Sequence, residues 1–445
     1  MTRFNPVSIG TNNVATDAAL VGGFTLIFGF VSLAVKEKLF LSESLVATVI
    51  GILFGPRVID AFDPFRFGRD NINNITLQFS QIVIGVQVMA AAVSIPKTYW
   101  RKQWGTLLIL WGPIMFYMWI STAIVVYLVT RVNFRDSLII AASCAPTDPI
   151  LANSIVSGRF ADMHISLPIR YLLSAESAGN DGIGTLFYTL AIYLRTEASV
   201  GKAFIRWAYE CVAYEVVGAA IFGALVGWLA NWSLKNSERR NLIDKRNFLV
   251  FEISLALFIV GVSAMLGLSP FLAVFVAGIV FSWDGWFTEE TAEAHVQETI
   301  DMLLNLTFFL YFGTSIEWST FNTPELPVWR LILATILILL VRRVPIIFAL
   351  HRYIPPLYSY QEAFFVGSFG PIGVAALWYM AEAVHTLHEV HEEAGQIVPV
   401  IQFIVLISVF VYGITLPFVH LTLNKVSTWS RSSAVSVPRW PSNTP

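Results

Sequence analysis

Charged residues are scarce in this chain of 445 residues. Asp, Glu, Lys and Arg make up 13% of it and hydrophobic residues 56%, whereas soluble domains carry roughly 25% charged and 45–50% apolar residues. The net charge of −2 gives no electrostatic reason to expect a nucleic-acid partner. Cys144 and Cys211, the two cysteines, lie in apolar runs and provide neither a disulfide framework nor a zinc spacing. The composition predicts a polytopic membrane protein.

What the sequence has in abundance is long apolar runs, of which we count about thirteen, mostly of the ~17–25 residues that an α-helical span requires. They lie near 15–35, 41–56, 75–95, 104–129, 134–157, 165–194, 205–231, 247–267, 269–287, 298–319, 327–353, 361–384 and 397–424. We therefore predict a membrane domain over residues 15–424, a short N-terminal segment 1–14, and a short polar tail 425–445 that is disordered.

The positions of Lys and Arg predict the orientation of these spans. With the N-terminus outside, the inner segments hold more basic residues than the outer ones. The largest inner group is Lys235, Arg239, Arg240, Lys245 and Arg246. An odd number of spans with the C-terminus inside is favoured.

Two runs are interrupted by helix-breaking residues. The fifth contains AASCAPTDPILANS, with Pro146 and Pro149, and the twelfth contains VGSFGPIGVAAL, with Gly370, Pro371 and Gly373. The two runs are seven apart, as expected if runs 1–6 and 8–13 are inverted copies with run 7 as a linker. A matched pair of interrupted spans is the best sequence indication of a transporter's binding site. The pattern predicts a secondary transporter with crossing broken helices.

Polar residues lie inside the same apolar segments. Asp148 falls in the first break, and Glu176, Ser177, Asn180 and Asp181 follow in the sixth run, at spacings that place them on adjoining helix faces. Such oxygens suit a small hard cation. Removal from water raises the pKa of a carboxylate, so a proton and a cation would compete for one site. Competition of this kind is the physical basis of a cation/proton antiporter.

Several motifs in order resemble the sodium/proton exchanger family, most closely its fungal plasma-membrane Na+(K+)/H+ antiporters. They are TDP (Thr147–Pro149), ESAGND (Glu176–Asp181), VRRVP (Val341–Pro345), FGPIG (Phe369–Gly373), WDGWF with the following ETIDMLLN (Trp283–Asn305), and GVQVMAAAVSIPKTYW (85–100). The resemblance covers essentially the whole membrane region. It implies an all-α polytopic fold of about 13 transmembrane helices in two inverted repeats.

The resemblance also implies an ion site. Asp181 corresponds to the essential carboxylate that binds cation or proton, and Glu176 and Ser177 to further ligands. Thr147 would contribute its backbone carbonyl, and Asp148 would act through water. The implied Na+ ligands are Asp181, Glu176, Ser177 and Thr147.

Supporting roles are implied for five residues. Asn180 corresponds to an amide that stabilises the helix, and Arg343, or alternatively Arg342, to the arginine that holds the unwound region together. Gly370 and Pro371 form the second break. The adjacent Asn180 and Asp181 resemble the pair found in the family branch whose members mostly exchange ions without net charge transfer. Fungal relatives do not follow this rule strictly, so the stoichiometry stays open.

Structural interpretations of these residues remain open. Asp148 could be an N-cap, with Pro149 at the first position of the following half-helix. Glu176 could be a structural partner of Arg343, and Asn180 a scaffold hydrogen-bonder. The two arginines could instead lie at the membrane surface. The stretch HTLHEVHEE, with three histidines, is interpreted as a solvated acidic outer loop, with pH sensing or cation attraction as the alternative.

Together these features predict an antiporter, not an enzyme, that exchanges Na+, and also Li+ or K+, for H+ by alternating access and serves cation and pH homeostasis. The alternative is a transporter of another solute with the same inverted-repeat fold. No cofactor is expected. The resemblance implies a homodimer in a lipid bilayer, in the plasma membrane or, as the alternative, an endomembrane. Regulation through a long C-terminal tail, usual in the fungal members, is not expected from the short tail here.

Overall fold

The computed structural model describes residues 14–33, 35, 39, 41–149, 151–152, 165–243, 246–291 and 296–427. The predicted terminal segments 1–14 and 425–445 lie almost entirely outside these residues. The end of the fifth apolar run, 153–157, also lies outside them.

Helices account for the regular structure of the described residues, and no strand occurs among them. In chain order they are α1 (Val14–Leu33), α2 (Glu43–Phe54), α3 (Arg69–Ser94), α4 (Lys97–Thr130), α5 (Phe134–Ser143), α6 (Leu167–Thr196), α7 (Val200–Arg239), α8 (Arg246–Met265), α9 (Pro270–Phe281), α10 (Trp286–Thr291), α11 (Val296–Thr314), α12 (Val328–Val341), α13 (Val344–Leu350), α14 (Tyr360–Ser368), α15 (Val374–Glu389) and α16 (Ile397–Ser427). Each predicted apolar run coincides with one of these helices or with a consecutive pair. The predicted all-α architecture is confirmed.

Helix length separates the spans into two groups. Five described helices are long and apolar enough to cross a membrane, namely Asn71–Ser94, Lys97–Thr130, Val200–Arg239, Val328–Tyr353 and Ile397–Ile414. Others are shorter: α2 and α9 have 12 residues each, which at 1.5 Å per residue is less than the ~30 Å of a bilayer core. Helix α6 has 30 residues, but it carries the polar residues of the candidate site. The chain is a multi-pass membrane protein with spans of unequal length.

Small residues set the closest helix contacts. In α2 and α11, Gly51 and Gly313 lie against each other's backbone, where an added Cβ would overlap with the neighbouring helix. In the same way Gly223 and Gly227 of α7 lie against α9. Small residues at helix contacts allow close backbone approach, which supplies van der Waals packing where lipid provides no hydrophobic drive.

The helix pairing follows the predicted repeat. Helix α2 packs on α11, which are the second and tenth apolar runs, and α9 packs on α3, which are the ninth and third. If runs 1–6 correspond to runs 8–13, these two pairs are equivalent. The contacts thus relate the two halves of the chain as two copies of one helix arrangement, with α7 between them in sequence.

Candidate ion-binding site

Two interrupted helices meet at the candidate site. Helix α5 ends just before Pro146, which has no N–H and cannot continue the helical hydrogen bonds. A second break, containing Gly370 and Pro371, separates α14 from α15. The backbone N–H of Asp148 donates to the carbonyl of Pro371 at 2.9 Å. The two breaks therefore contact each other directly, as the crossing arrangement requires.

Asp148 caps the helix that starts at the other break. Its Oδ2 accepts from the backbone N–H of Val374, the first residue of α15, at 3.3 Å, and the residue is 1% exposed. An added Cβ on Gly373 would overlap with this carboxylate, so the close approach depends on that glycine. A carboxylate at a helix N-terminus is favourable because it accepts from free N–H groups.

Arg342 connects the two breaks through their carbonyl groups. Its Nη1 donates to the carbonyl of Cys144 in the first break, and its Nη2 donates to that of Gly370 in the second, the latter at 2.6 Å. The side chain is 2% exposed. Broken helices leave carbonyls without intrahelical partners, which are costly in lipid unless satisfied. One guanidinium satisfies a carbonyl from each break.

Arg343 makes a different contact. Its two terminal nitrogens donate to the two carboxylate oxygens of Glu176 at 2.5 and 2.7 Å, and its Nε donates to the carbonyl of Val366 at 3.0 Å. Both side chains are buried. This bidentate geometry occupies both oxygens of Glu176. It favours the interpretation of Glu176 as a partner of Arg343 over that of a direct ion ligand, and it places both arginines away from the surface.

Thr147 joins the first break to α6. The Nδ2 of Asn180 donates to the Thr147 hydroxyl at 2.6 Å, and the hydroxyls of Thr147 and Ser177 lie 3.3 Å apart. All three residues are buried. The sequence assigns Thr147 a role through its backbone carbonyl, whereas here its side chain makes the contacts. The amide of Asn180 thus links α6 to the first break, and the supporting role that the resemblance implies for it stays a prediction.

Asp181 is buried without a side-chain partner. The residue is 0% exposed, and neither carboxylate oxygen accepts a hydrogen bond from the described residues. The Oδ1 of Asn180 is likewise buried and unpartnered. An ionised carboxylate is costly in such a place unless a proton or a cation accompanies it. The three free oxygens lie on adjacent residues of one helix and suit either occupant.

Tyr379 is a site residue that the sequence did not reveal. Its hydroxyl donates to the backbone carbonyl of Asp181 at 2.6 Å and lies 3.3 Å from the hydroxyl of Thr185. It is fully buried in α15. A tyrosine in an apolar helix is unremarkable as sequence, and only the packing of α15 beside α6 shows what its hydroxyl contacts.

The histidine-rich stretch is separate from this site. His385 and His388 are exposed, and His385 lies 3.8 Å from Glu389, one turn along α15. Within the described part of the chain, no group of three His, Cys, Asp or Glu residues could hold a metal ion. The sequence predicts a loop for the whole stretch, but its first five residues, His385–Glu389, form the end of α15, and only the residues from Val390 onward lie outside the helix.

Comparison with known proteins finds clear similarity to one family of membrane proteins. The family model for the transmembrane region of sodium/hydrogen exchangers matches residues 24–422. The chain is 39% identical over 424 residues to a probable Na+/H+ antiporter of Schizosaccharomyces pombe, covering 91% of this chain and 56% of that protein. It is 40% identical over 364 residues to the Na+/H+ antiporter of Saccharomyces cerevisiae, covering 81% and 37%. The chain thus spans about half the length of these relatives or less.

A solved structure shows the same fold. The sodium proton antiporter of Methanocaldococcus jannaschii at pH 8 superposes with a TM-score of 0.67 at 17% identity, covering 92% of this chain and 98% of the other. The two chains therefore share one fold over nearly their whole length.

Proposed function

The chain belongs to the sodium/hydrogen exchanger family, and from this premise we propose that it is a secondary active antiporter that exchanges Na+ for H+. Its family is one of transporters, not of enzymes. The observation that carries the proposal is the state of Asp181, which is fully buried and has no hydrogen-bond partner on either carboxylate oxygen among the described residues.

Exchange follows from competition at this carboxylate. A bound proton neutralises Asp181 directly. A bound Na+ would neutralise it by charge and would take oxygen ligands from Asp181 and from the unpartnered Oδ1 of Asn180. The hydroxyls of Thr147 and Ser177 lie next to that amide and to each other. The empty site would carry an unpaired charge through the membrane interior, which is costly. The site therefore crosses loaded, with one ion or the other.

The neighbouring charges support this division of roles. Glu176 and Arg343 neutralise each other, and Asp148 caps α15. Asp181 is then the carboxylate that changes its partner during transport. The two breaks cross beside Asp181. Small movements of the half-helices, rather than of whole spans, can therefore open the site to one side of the membrane or to the other.

The decisive test is Asp181→Asn in protein reconstituted into vesicles. Proton release on adding Na+ should disappear, because an amide neither releases a proton nor balances a bound cation. Folded protein should remain, since no described hydrogen bond to the carboxylate is lost.

The matched control is Asp60→Asn. Asp60 is exposed and has a φ of 54°, a conformation that asparagine adopts readily, so this change removes the same charge without strain. Exchange should be unaltered. Na+-dependent proton release that persists in the Asp181→Asn protein would exclude Asp181 as the exchanging group.

The finer properties are proposed on the same basis. Oxygen ligands accept Li+ and K+ as well as Na+, so we expect all three to drive proton release, in an order that a cation series on vesicles would give. From the family resemblance we also propose that the protein resides in the plasma membrane. A fluorescent fusion expressed in a fungal cell would test this, and fluorescence at an internal membrane would contradict it.

A homodimer is proposed as well. Only 17% of the most apolar window of α7 is buried inside the chain, so this helix offers a large apolar surface to lipid or to a second copy. Mass measurement in lipid nanodiscs should give two chains per particle. A single chain in each particle at all protein concentrations would contradict the proposal.

A further inference from the structure

A cavity of about 640 Å³ lies apart from the Asp181 site, between the ends of three helices. Its walls come from the start of α3, from the segment that follows α11 (Ser315–Leu326), and from the start of α16 with the residues before it. In the topology that Lys and Arg predict, all three segments lie on the outer side. The cavity is therefore an opening on one face of the protein.

The chemistry of the walls favours a cation. Glu317 and Glu325 line the cavity, and none of the described residues lining it is basic. The Glu325 carboxylate accepts from the side-chain amide of Gln396 at 3.2 Å. The hydroxyl of Thr320 donates to the backbone carbonyl of Glu317 at 2.7 Å, so its oxygen has lone pairs but no proton to offer. Carboxylate, hydroxyl and amide oxygens are hard ligands, suited to alkali cations.

An unpartnered buried oxygen provides independent support. Gln402 of α16 lines the cavity, is 7% exposed, and its Oε1 has no hydrogen-bond partner among the described residues. A buried acceptor without a partner costs roughly 1–3 kcal/mol, so an occupant of the cavity that donates to this oxygen or coordinates it would be stabilised there. A cation or its hydration water satisfies it.

Helix α16 extends from the wall of the cavity to the second break. Six residues beyond Gln402, the hydroxyl of Ser408 accepts from the backbone N–H of Ile372 in the second break at 2.7 Å. At 1.5 Å per helical residue the two points on α16 are about 9 Å apart. An ion in the cavity is thus close to the crossing point of the broken helices.

We propose that this cavity is a second, outer cation site, which holds a hydrated alkali cation on the path to Asp181. The path rests on the proposed exchange function, whereas binding in the cavity does not. A volume of about 640 Å³ is far larger than a bare ion, and at roughly 30 Å³ per water it accommodates an ion with its hydration shell. Binding there is weak and electrostatic.

The first test measures ²²Na+ binding to the purified full chain in nanodiscs, with Asp181→Asn present to remove the transport site. This protein should still bind ²²Na+ at millimolar concentrations. Adding Glu317→Gln, Glu325→Gln and Gln402→Leu should weaken that binding at least fivefold. Equal binding with and without these three changes, or no binding in the Asp181→Asn protein, would overturn the proposal.

The second test uses transport in the chain with Asp181 intact. Glu317→Gln/Glu325→Gln should raise the apparent KM for outer Na+ about three- to tenfold and leave Vmax unchanged, because only loading is affected. The control is Glu389→Gln/Glu393→Gln, which removes two charges from exposed residues of the same side that do not line the cavity.

The two tests separate the possible failures. An unchanged KM in the cavity variant, or an equal rise in the control, would mean that the cavity does not load the transport site. If Asp181→Asn retains exchange, the proposed exchange site is wrong, yet the ²²Na+ result still decides whether the cavity binds a cation. Thermal unfolding of every variant confirms that folded protein is compared.

Discussion

At the scale of single residues, the site divides its charges by how they are satisfied. Glu176 is held by Arg343 through two hydrogen bonds, Asp148 accepts from the start of α15, and Asp181 has no side-chain partner among the described residues. These carboxylates are all buried, so composition alone would not distinguish them. Their contacts are consistent with structural roles for the first two, and under the proposed function the third is the one that binds the transported ion.

The Glu176–Arg343 pair gives a prediction about stability. Arg343→Ala should lower the free energy of unfolding by roughly 3–5 kcal/mol, because it leaves a buried carboxylate unpaired. Thermal unfolding in detergent measures the loss. Arg352→Ala, at an exposed arginine just beyond α13, is the control and should have little effect.

A double-mutant cycle tests whether the pair is structural. Glu176→Gln with Arg343→Gln should cost less than the sum of the two single changes, because neither variant partner is then a lone buried charge. Additive losses would indicate that the two residues act independently, and would return Glu176 to the set of direct ion ligands.

At the scale of helices, a side chain and a backbone contact join the two breaks. Arg342 donates to a carbonyl of each break, and the Asp148 N–H contacts the carbonyl of Pro371. The N–H donors of a guanidinium are spread over three nitrogens in a fixed plane and can reach two separated acceptors, whereas the donors of lysine all lie on one nitrogen. Hydrogen bonds thus join the two breaks to each other directly and through Arg342.

Arg342→Lys should therefore lose one of the two carbonyl contacts. A hydrogen bond to a charged group contributes about 1.5–3 kcal/mol, so we expect unfolding at a lower temperature and a clear fall in the maximal exchange rate. Arg352→Lys is the matched control. Wild-type exchange and stability in Arg342→Lys would show that the guanidinium does not join the breaks in the working protein.

The helix breaks and the buried carboxylate could be predicted from the sequence, whereas the contacts between helices could not. Pro146, Gly370 and Pro371 identify both breaks because their effect on a helix is local. Asp181 stands out because a carboxylate in an apolar run needs an explanation. That Asp148 caps α15, and that Tyr379 contacts the Asp181 carbonyl, depend on which helices cross, and no local pattern carries that information.

The choice between the two arginines shows the same limit. The motif VRRVP presents Arg342 and Arg343 as neighbours, and sequence resemblance favours Arg343 for holding the unwound region. The chain kinks between α12 and α13 at these two residues, so their side chains leave in different directions. One reaches the carbonyls of the breaks and the other reaches Glu176. The division of roles depends on which groups surround each arginine in the folded chain, and the motif alone does not specify them.

At the scale of the whole molecule, the proposed function couples the transport of two ions through one shared carboxylate, and this predicts a pH dependence. Below the pKa of the site, the apparent KM for cation should rise about tenfold per pH unit, since each unit lowers the ionised fraction tenfold. Vmax should change much less, because saturating cation displaces the proton. Rates measured at several cation concentrations and pH values give both parameters.

The alternative is a separate pH sensor, for which the exposed His385 and His388 are the natural candidates. A sensor of that kind would change Vmax at saturating cation and leave the KM constant. His385→Gln/His388→Gln should leave the pH profile as it is if competition at Asp181 sets it. A profile that flattens in this variant would contradict the competition model.

The contact between α2 and α11 has a consequence for biosynthesis. The Ser44 hydroxyl donates to Asn305 Oδ1 at 2.9 Å across 261 residues of chain, beside the close approach of Gly51 and Gly313. At the usual 5–20 residues per second of translation, α2 waits on the order of 10–50 s for its partner to emerge. During that interval a helix of 12 residues lies in the bilayer with its glycine face and a serine uncovered. A chaperone or the insertion machinery that shields α2 would therefore act early in synthesis, and ribosome-bound chains that stop before Val296 should be the ones most readily degraded.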